Sequence, residues 1–178
     1  MLKKFSSENI LLVNDAAAMA EELVSNVYKM SESQWLSRRY DIKTLTDLKP
    51  SEIVHGPFAQ VIRFKGQGNN RLLGSSIYVF YKICIQDHAI IKTLKKSINI
   101  KLFPFALYII THELIHIVRF SKFLQSFDAS PDEKMVEEIR VHEKTADILA
   151  RVQAPGIDDV LKFYQKWSEP VEEMQDLL

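Results

Sequence analysis

The chain has 178 residues and a mass of 20.6 kDa, which is the size of a single domain. Hydrophobic residues make up 47% of it, enough for a substantial core, but we expect no membrane span from its apolar runs. Its 23 basic and 23 acidic side chains cancel at pH 7, which argues against a nucleic-acid-binding protein that works by bulk charge. Cys84 is the single cysteine, so an intrachain disulfide is excluded and we expect a cytoplasmic protein.

The first part of the chain carries a helical pattern. Apolar residues recur every three or four positions over 14–30, which predicts an amphipathic helix, and a capping box predicts a shorter helix over 31–40. Residues 41–57 contain turn-forming prolines and a glycine, which indicates a connector. We therefore expect an N-terminal helical segment, residues 1–50, and a main domain, residues 51–178, of which the segment can also form part.

The period of the pattern then changes from helical to alternating. Residues 58–64 and 76–85 place apolar side chains at every second position, which predicts strands on either side of a turn rich in glycine and asparagine. We expect a small, mostly antiparallel sheet of two to four strands. After it, Ile91, Leu94 and Ile98 recur at helical spacing among lysines, which predicts a short amphipathic helix.

Residues 103–120 are apolar nearly all round, which predicts a helix in the centre of the core. Within them, His112 and His116 stand at positions i and i+4, so both imidazoles can meet at one metal ion. Glu113 lies about 100° round the helix from His112, where a carboxylate can act as general base on a metal-bound water. Burying these three side chains without partners would be costly, which favours a metal site over two structural histidines.

A third ligand is expected on the following helix. Ser130 as N-cap and Pro131 at the first helical position predict its start, and we expect it to run to about residue 152. Residues at positions i, i+3, i+4, i+7, i+8 and i+11 form one face that mixes apolar and ionisable side chains. That face consists of Ile139, His142, Glu143, Ala146, Asp147 and Ala150.

Glu143 is the favoured third ligand on this face. Asp147, one turn further on, can accept the N–H of a metal-bound histidine and so orient its ring. His142, which directly precedes Glu143, is an alternative third ligand, and so is Glu138, one turn before His142.

The H-E-x-x-H sequence at residues 112–116 and E-K-T-A-D at residues 143–147 resemble the H-E-x-x-H and E-x-x-A-D motifs of gluzincin-type zinc metallopeptidases. The short interval between the motifs makes the chain most similar to ImmA/IrrE-like peptidases and to minigluzincins. The resemblance covers about residues 77–155. One departure is Ile115, where such families often place glycine.

The resemblance implies a zincin-like α+β fold, in which N-terminal helices and a small sheet precede an active-site helix and a second metal-ligand helix. It implies one Zn²⁺ per chain held by His112, His116 and Glu143, with Glu113 as general base and Asp147 orienting a ligand histidine. The implied reaction is hydrolysis of a peptide bond in a peptide or protein substrate, and no nucleic-acid or membrane partner is expected. The candidates for stabilising the oxyanion are Tyr108, His142 and Tyr164.

Other functions remain open at this stage. A catalytically silent regulatory protein would keep the metal for structure, and His142 as a fourth ligand would favour it. A latent peptidase would have its cleft covered by residues 1–50. A carboxylate-bridged di-iron site built from Glu138, His142, Glu143 and Glu113 is a further alternative.

Overall fold

The computed structural model describes residues 1–38, 40–67, 77–122 and 124–165. Across these residues the chain forms an α+β fold with six α-helices and one three-stranded sheet, in agreement with the expected fold class. The helices are α1 (Ser7–Tyr28), α2 (Glu32–Arg38), α3 (Asp87–Lys96), α4 (Leu102–Ser121), α5 (Pro131–Leu149) and α6 (Ile157–Gln165). The strands are β1 (Tyr40–Lys43), β2 (Ala59–Gln67) and β3 (Ile77–Ile85), and a single 3₁₀ turn covers Pro50–Glu52.

The sheet has the order β1-β3-β2, with the longest pairing between β2 and β3. That pair is antiparallel, whereas β1 runs parallel to β3 with Tyr40 opposite Tyr81. The sheet is therefore mixed: its longer pairing is antiparallel as expected, and the short pairing of β1 with β3 is parallel. The expected helix over 31–40 is also wrong at its end, because residues 40–43 extend to pair with β3, a contact far away in sequence.

Helix α4 runs through the centre of the protein, as its all-round apolar sequence predicts. Of its 20 residues, 15 are buried. By length and composition it is also apolar enough to cross a membrane, but 83% of its most apolar window is buried inside the protein. Such burial is what the core helix of a soluble protein shows. Its neighbours in the fold are α1, α5, α6, β2 and β3.

The N-terminal segment packs on the same core as the rest of the chain. Helix α1 lies along α4 and buries Ala16 and Ala20 completely, which lets the two helices approach closely. Asp87, in the first turn of α3, accepts backbone hydrogen bonds from Phe5 and Leu45, both at 2.9 Å. Residues 1–50 are thus joined to the remainder through α1, through β1 and through this buried carboxylate.

The predicted start of α5 is confirmed, although the helix ends at Leu149, before the expected residue 152, and the predicted start of α1 is wrong. Helix α5 begins with the expected proline after Ser130, and Ser130 and Glu133 form a reciprocal capping box. Helix α1 begins at Ser7, well before the expected residue 14, because the Ser6 hydroxyl caps the N–H of Asn9. The acidic tail, residues 169–178, lies outside the described residues.

Candidate metal centre

Helix α4 brings His112 and His116 together on one face. Both residues are nearly buried, with 7% and 5% of their surface exposed. Their Nε2 atoms lie 3.1 Å apart. The convergence expected from the i, i+4 spacing is therefore present in the structure.

Glu138 of α5 completes the group. Its Oε2 atom lies 3.2 Å from Nε2 of His112, and its Oε1 atom lies 3.0 Å from Nε2 of His116. Each of the three side chains offers one ligand atom, and these atoms all fall within 4.8 Å of one another. The side chain of Glu138 is 52% exposed, so the group borders on solvent at the α5 side.

The spacing and chemistry of this group fit a divalent metal ion. Ligand atoms bound at about 2.1 Å in a tetrahedral zinc site stand about 3.4 Å apart, only slightly more than the separations between His112, His116 and Glu138. Two imidazoles and one carboxylate are also the protein ligands of a well-known class of catalytic zinc sites. The same ligands serve other divalent metals, so the set of atoms does not by itself select zinc.

The hydrogen bond and charge of Glu138 act on the pKa of the neighbouring His116. Burial by itself lowers the pKa of His116, but the hydrogen bond and charge of Glu138 outweigh it and raise this pKa to about 9. Burial raises the pKa of Glu138, but the hydrogen bonds from His112 and His116 outweigh it and hold the pKa well below its ordinary value. The two side chains thus stabilise each other's charged forms.

Glu113 follows His112 on α4 and is half-buried. Burial raises the pKa of its carboxyl group, and the neighbouring His112 and His116 offset part of this rise. Burial, with smaller contributions that include the charge of Glu113, also raises the pKa of Cys84 on β3 and of Tyr164 on α6. The Glu113 carboxylate is therefore close enough for its charge to act on Cys84 of β3 and Tyr164 of α6, and the two histidines act on its own pKa.

His142, one turn after Glu138, belongs to an aromatic cluster next to the ligands. Its ring centroid lies 4.3 Å from that of His112, and its Nδ1 atom lies 2.8 Å from the hydroxyl of Tyr108. Tyr164 stacks on Tyr108 with ring centroids 3.8 Å apart. Burial, and next the charge of His112, lower the pKa of His142 to about 3, so this imidazole is neutral at pH 7. The three residues considered for oxyanion stabilisation thus lie together.

The structure does not bring Glu143 and Asp147 to the histidines. Both are exposed and line a shallow depression together with Tyr28, Arg119, Arg140 and Lys144, a lining that includes neither histidine. The prediction that this face of α5 points into the core is wrong. Ile139 and Ala150, the first and last residues of the predicted face, are also exposed. The buried residues of α5 are instead Glu137, Val141, Thr145, Ile148 and Leu149.

Two polar residues near the centre escaped the sequence analysis. Glu137 is buried and accepts hydrogen bonds from Arg119 and, at 2.6 Å, from Arg140. Gln125, between α4 and α5, has its Oε1 atom 3.1 Å from Nδ1 of His116. Neither belongs to a motif, and a glutamine in a loop carries no sequence signal of a buried contact.

No protein-family model matches this chain, and no curated protein and no solved structure matches it either. Of the two motifs that resemble gluzincins, the one at residues 112–116 supplies two members of the candidate metal centre. The one at residues 143–147 supplies none of them.

Proposed function

We propose that this protein is a zinc-dependent hydrolase of peptide bonds, with the metal held by His112, His116 and Glu138. The observation that carries the proposal is the convergence, within 3.0–3.2 Å, of two imidazole nitrogens of the buried helix α4 and the Glu138 carboxylate of α5. Glu113, the next residue after a proposed ligand, supplies the base that hydrolysis needs. A zincin-like fold belongs to the same proposal, supported by the contacts of α4, the helix of the two histidines, with strands β2 and β3.

A bound zinc ion supplies Lewis acidity to a carbonyl oxygen and lowers the pKa of a water. Glu113 removes the proton of the attacking water and hands it to the leaving amine. Burial already raises the pKa of this carboxyl group toward the range in which one group can both take up and release a proton at neutral pH.

His142 is the donor that we propose for the oxyanion. Burial and then the charge of Glu138 raise the pKa of Tyr108, so its hydroxyl keeps its proton at pH 7. In this proposal the hydroxyl, 2.8 Å from Nδ1 of the neutral His142, donates to that nitrogen. The imidazole proton then sits on Nε2, from which it can stabilise negative charge near His112.

Strand β2 offers a place for an extended substrate. It pairs with β3 along one edge, and no described strand pairs with its other edge. It also contacts α4, and Phe58 just before it packs against Phe105 of α4 and Phe163 of α6. A peptide backbone can add to such an edge by main-chain hydrogen bonds. The proposed partner is therefore a peptide or an unfolded protein segment.

The test is hydrolysis by the zinc-loaded protein of a mixture of unstructured peptides, followed by mass spectrometry. Glu113→Gln should keep zinc and lose at least about 100-fold in rate, whereas His116→Ala should lose both. Glu22→Gln, an exposed glutamate of α1, is the control and should match the wild type. No cleavage by the zinc-loaded wild type, or full activity of Glu113→Gln, would overturn the proposal.

A catalytically silent metal protein is the second candidate. It is favoured by the position of His142, whose ring lies 4.3 Å from that of His112 and can reach the same ion as a fourth ligand. The visible absorption of the Co²⁺-substituted protein distinguishes the two, since an unchanged spectrum in His142→Ala excludes this residue from the coordination shell.

We also propose a cytoplasmic location. Cys84 is free and buried, and burial raises the pKa of its thiol to about 11, so it is protected from oxidation there. The extensive burial of α4 supports a soluble protein with no membrane partner, and the balanced charge supports one without a nucleic-acid partner.

A further inference from the structure

His116 is held at both of its ring nitrogens. Its Nε2 atom faces Oε1 of Glu138 at 3.0 Å, and its Nδ1 atom faces Oε1 of Gln125 at 3.1 Å. His112 differs, because its Nδ1 atom is buried and has no hydrogen-bond partner among the described residues. Gln125 therefore orients the His116 ring at the nitrogen opposite the one that faces Glu138, and His112 has no such contact among the described residues.

The loop that carries Gln125 is anchored to the end of α4. The backbone N–H of Leu124 donates to the carbonyl oxygen of Arg119 at 2.9 Å, and the Arg119 guanidinium donates back to the carbonyl oxygen of Leu124 at 3.5 Å. Arg119 is fixed in turn by an ion pair with the buried Glu137 of α5. Leu124, the residue directly before Gln125, is thus hydrogen-bonded through both its backbone N–H and its carbonyl oxygen.

A second set of contacts holds the other side of this loop. Phe127 packs against Phe120 of α4, with ring centroids 5.0 Å apart. The Arg63 guanidinium of β2 lies 4.3 Å from the centre of the Phe127 ring and bonds Asp128 at 3.2 Å. Gln125 therefore lies between two anchored points, which limits how far its side chain can move away from His116.

We infer that Gln125 is a positioning residue of the metal centre, an inference that rests on the proposed metal site. A neutral imidazole carries one N–H, and with a metal ion at Nε2 that proton would lie on Nδ1, where Gln125 Oε1 can accept it. The lone pair is then left on Nε2, the atom that points to His112 and Glu138. Gln125 Oε1 thus stabilises the tautomer of His116 that can bind a metal and fixes the plane of its ring.

The test is the affinity for Zn²⁺ alone, measured by competition with a chelator on the full chain. Gln125→Met keeps the length of the side chain and removes the acceptor, so it should weaken binding about 10- to 100-fold. Gln125→Glu restores an acceptor and should bind within about threefold of the wild type or more tightly. Gln153→Met, the same exchange at an exposed position, is the matched control and should change nothing.

The rescue separates orientation of His116 from a general effect on folding. Equal weakening in Gln125→Met and Gln125→Glu, or wild-type affinity in Gln125→Met, would overturn the inference. Should Gln125→Met fail to fold, Gln125→Ser, which also removes the contact, is measured in its place with the same expected loss. If the variants show the expected Zn²⁺ affinities but the wild type cleaves no peptide, the positioning role of Gln125 is supported and the proposed hydrolase activity is refuted. If the wild type binds no Zn²⁺, both proposals are refuted.

Discussion

Oε1 of Glu138 lies 3.0 Å from Nε2 of His116, across the packing interface between α5 and α4. This contact, with the matching one to His112, makes Glu138 the carboxylate of the candidate centre. With Glu138 as the third ligand, the H-E-x-x-H motif and that ligand are five residues closer in sequence than with Glu143, the ligand that the gluzincin resemblance implies. The metal-binding role of Glu143 stays a prediction for which the structure gives no supporting contact.

Substitution of the two glutamates decides between them. Glu138→Gln should weaken Zn²⁺ binding by at least about 100-fold, because an amide oxygen is a poorer ligand and leaves the positive charge unbalanced. Glu143→Gln should retain the wild-type affinity, since this side chain is exposed away from the histidines. Isothermal titration with Zn²⁺ measures both. The reverse result would restore the ligand set expected from the motif.

Tyr108→Phe should slow catalysis without loss of zinc. The change removes only the hydroxyl that lies 2.8 Å from Nδ1 of His142 and keeps the ring that stacks on Tyr164. We expect kcat to fall about 10- to 100-fold, because His142 is no longer held in the tautomer that donates from Nε2. Steady-state kinetics and the zinc content of the purified variant are the measurements. An unchanged kcat would remove His142 from the proposed oxyanion site.

Asp87→Asn should destabilise the fold in a pH-dependent way. An amide cannot accept from both Phe5 and Leu45, which costs about 1–3 kcal/mol. Burial raises the pKa of Asp87 above its ordinary 3.8 despite these hydrogen bonds, so the folded state binds this proton more tightly than the unfolded state.

The sign of the pH effect follows from that raised pKa. The contribution of Asp87 protonation to stability is fully present below pH 3.8 and is lost as the pH rises through the raised value. Denaturant unfolding of the wild type and of Asp87→Asn at several pH values should show their difference shrink with rising pH, leaving the cost of the lost hydrogen bond. A difference that grows with pH would contradict this account.

Gly156→Ala should destabilise the connection between α5 and α6 more than Gly56→Ala destabilises its own loop. Both glycines have a positive φ, +86° and +110°, so each substitution carries the backbone strain of that region, about 1–2 kcal/mol. A Cβ at Gly156 would also stand 3.3 Å from Cγ of Pro104 in α4, whereas one at Gly56 would meet nothing within 4 Å. Thermal unfolding of the two variants makes the comparison, and equal losses would show that the contact with Pro104 is relieved at no cost.

Local sequence patterns predict the long strands β2 and β3 but neither the short strand β1 nor the start of α1. Alternation predicted β2 and β3 because each is nine residues long and patterned along its length. Strand β1 has four residues, all half-buried, and is a strand only because β3 pairs with it. Helix α1 begins earlier than the apolar pattern predicts, because its N-cap Ser6 is followed by a first turn that has little apolar pattern.

For the candidate centre, the sequence by itself determined the convergence of His112 and His116 and the place of Glu113 beside them. These relations lie within one helix, whose geometry follows from residue spacing once its apolar surroundings make it helical. Only the tertiary structure decided which carboxylate of α5 faces the pair. The rotation of α5 about its axis depends on its packing against α4, including the buried ion pair of Glu137 with Arg119. Gln125 contacts His116 from a loop, and no repeating sequence pattern predicts the position of a loop side chain.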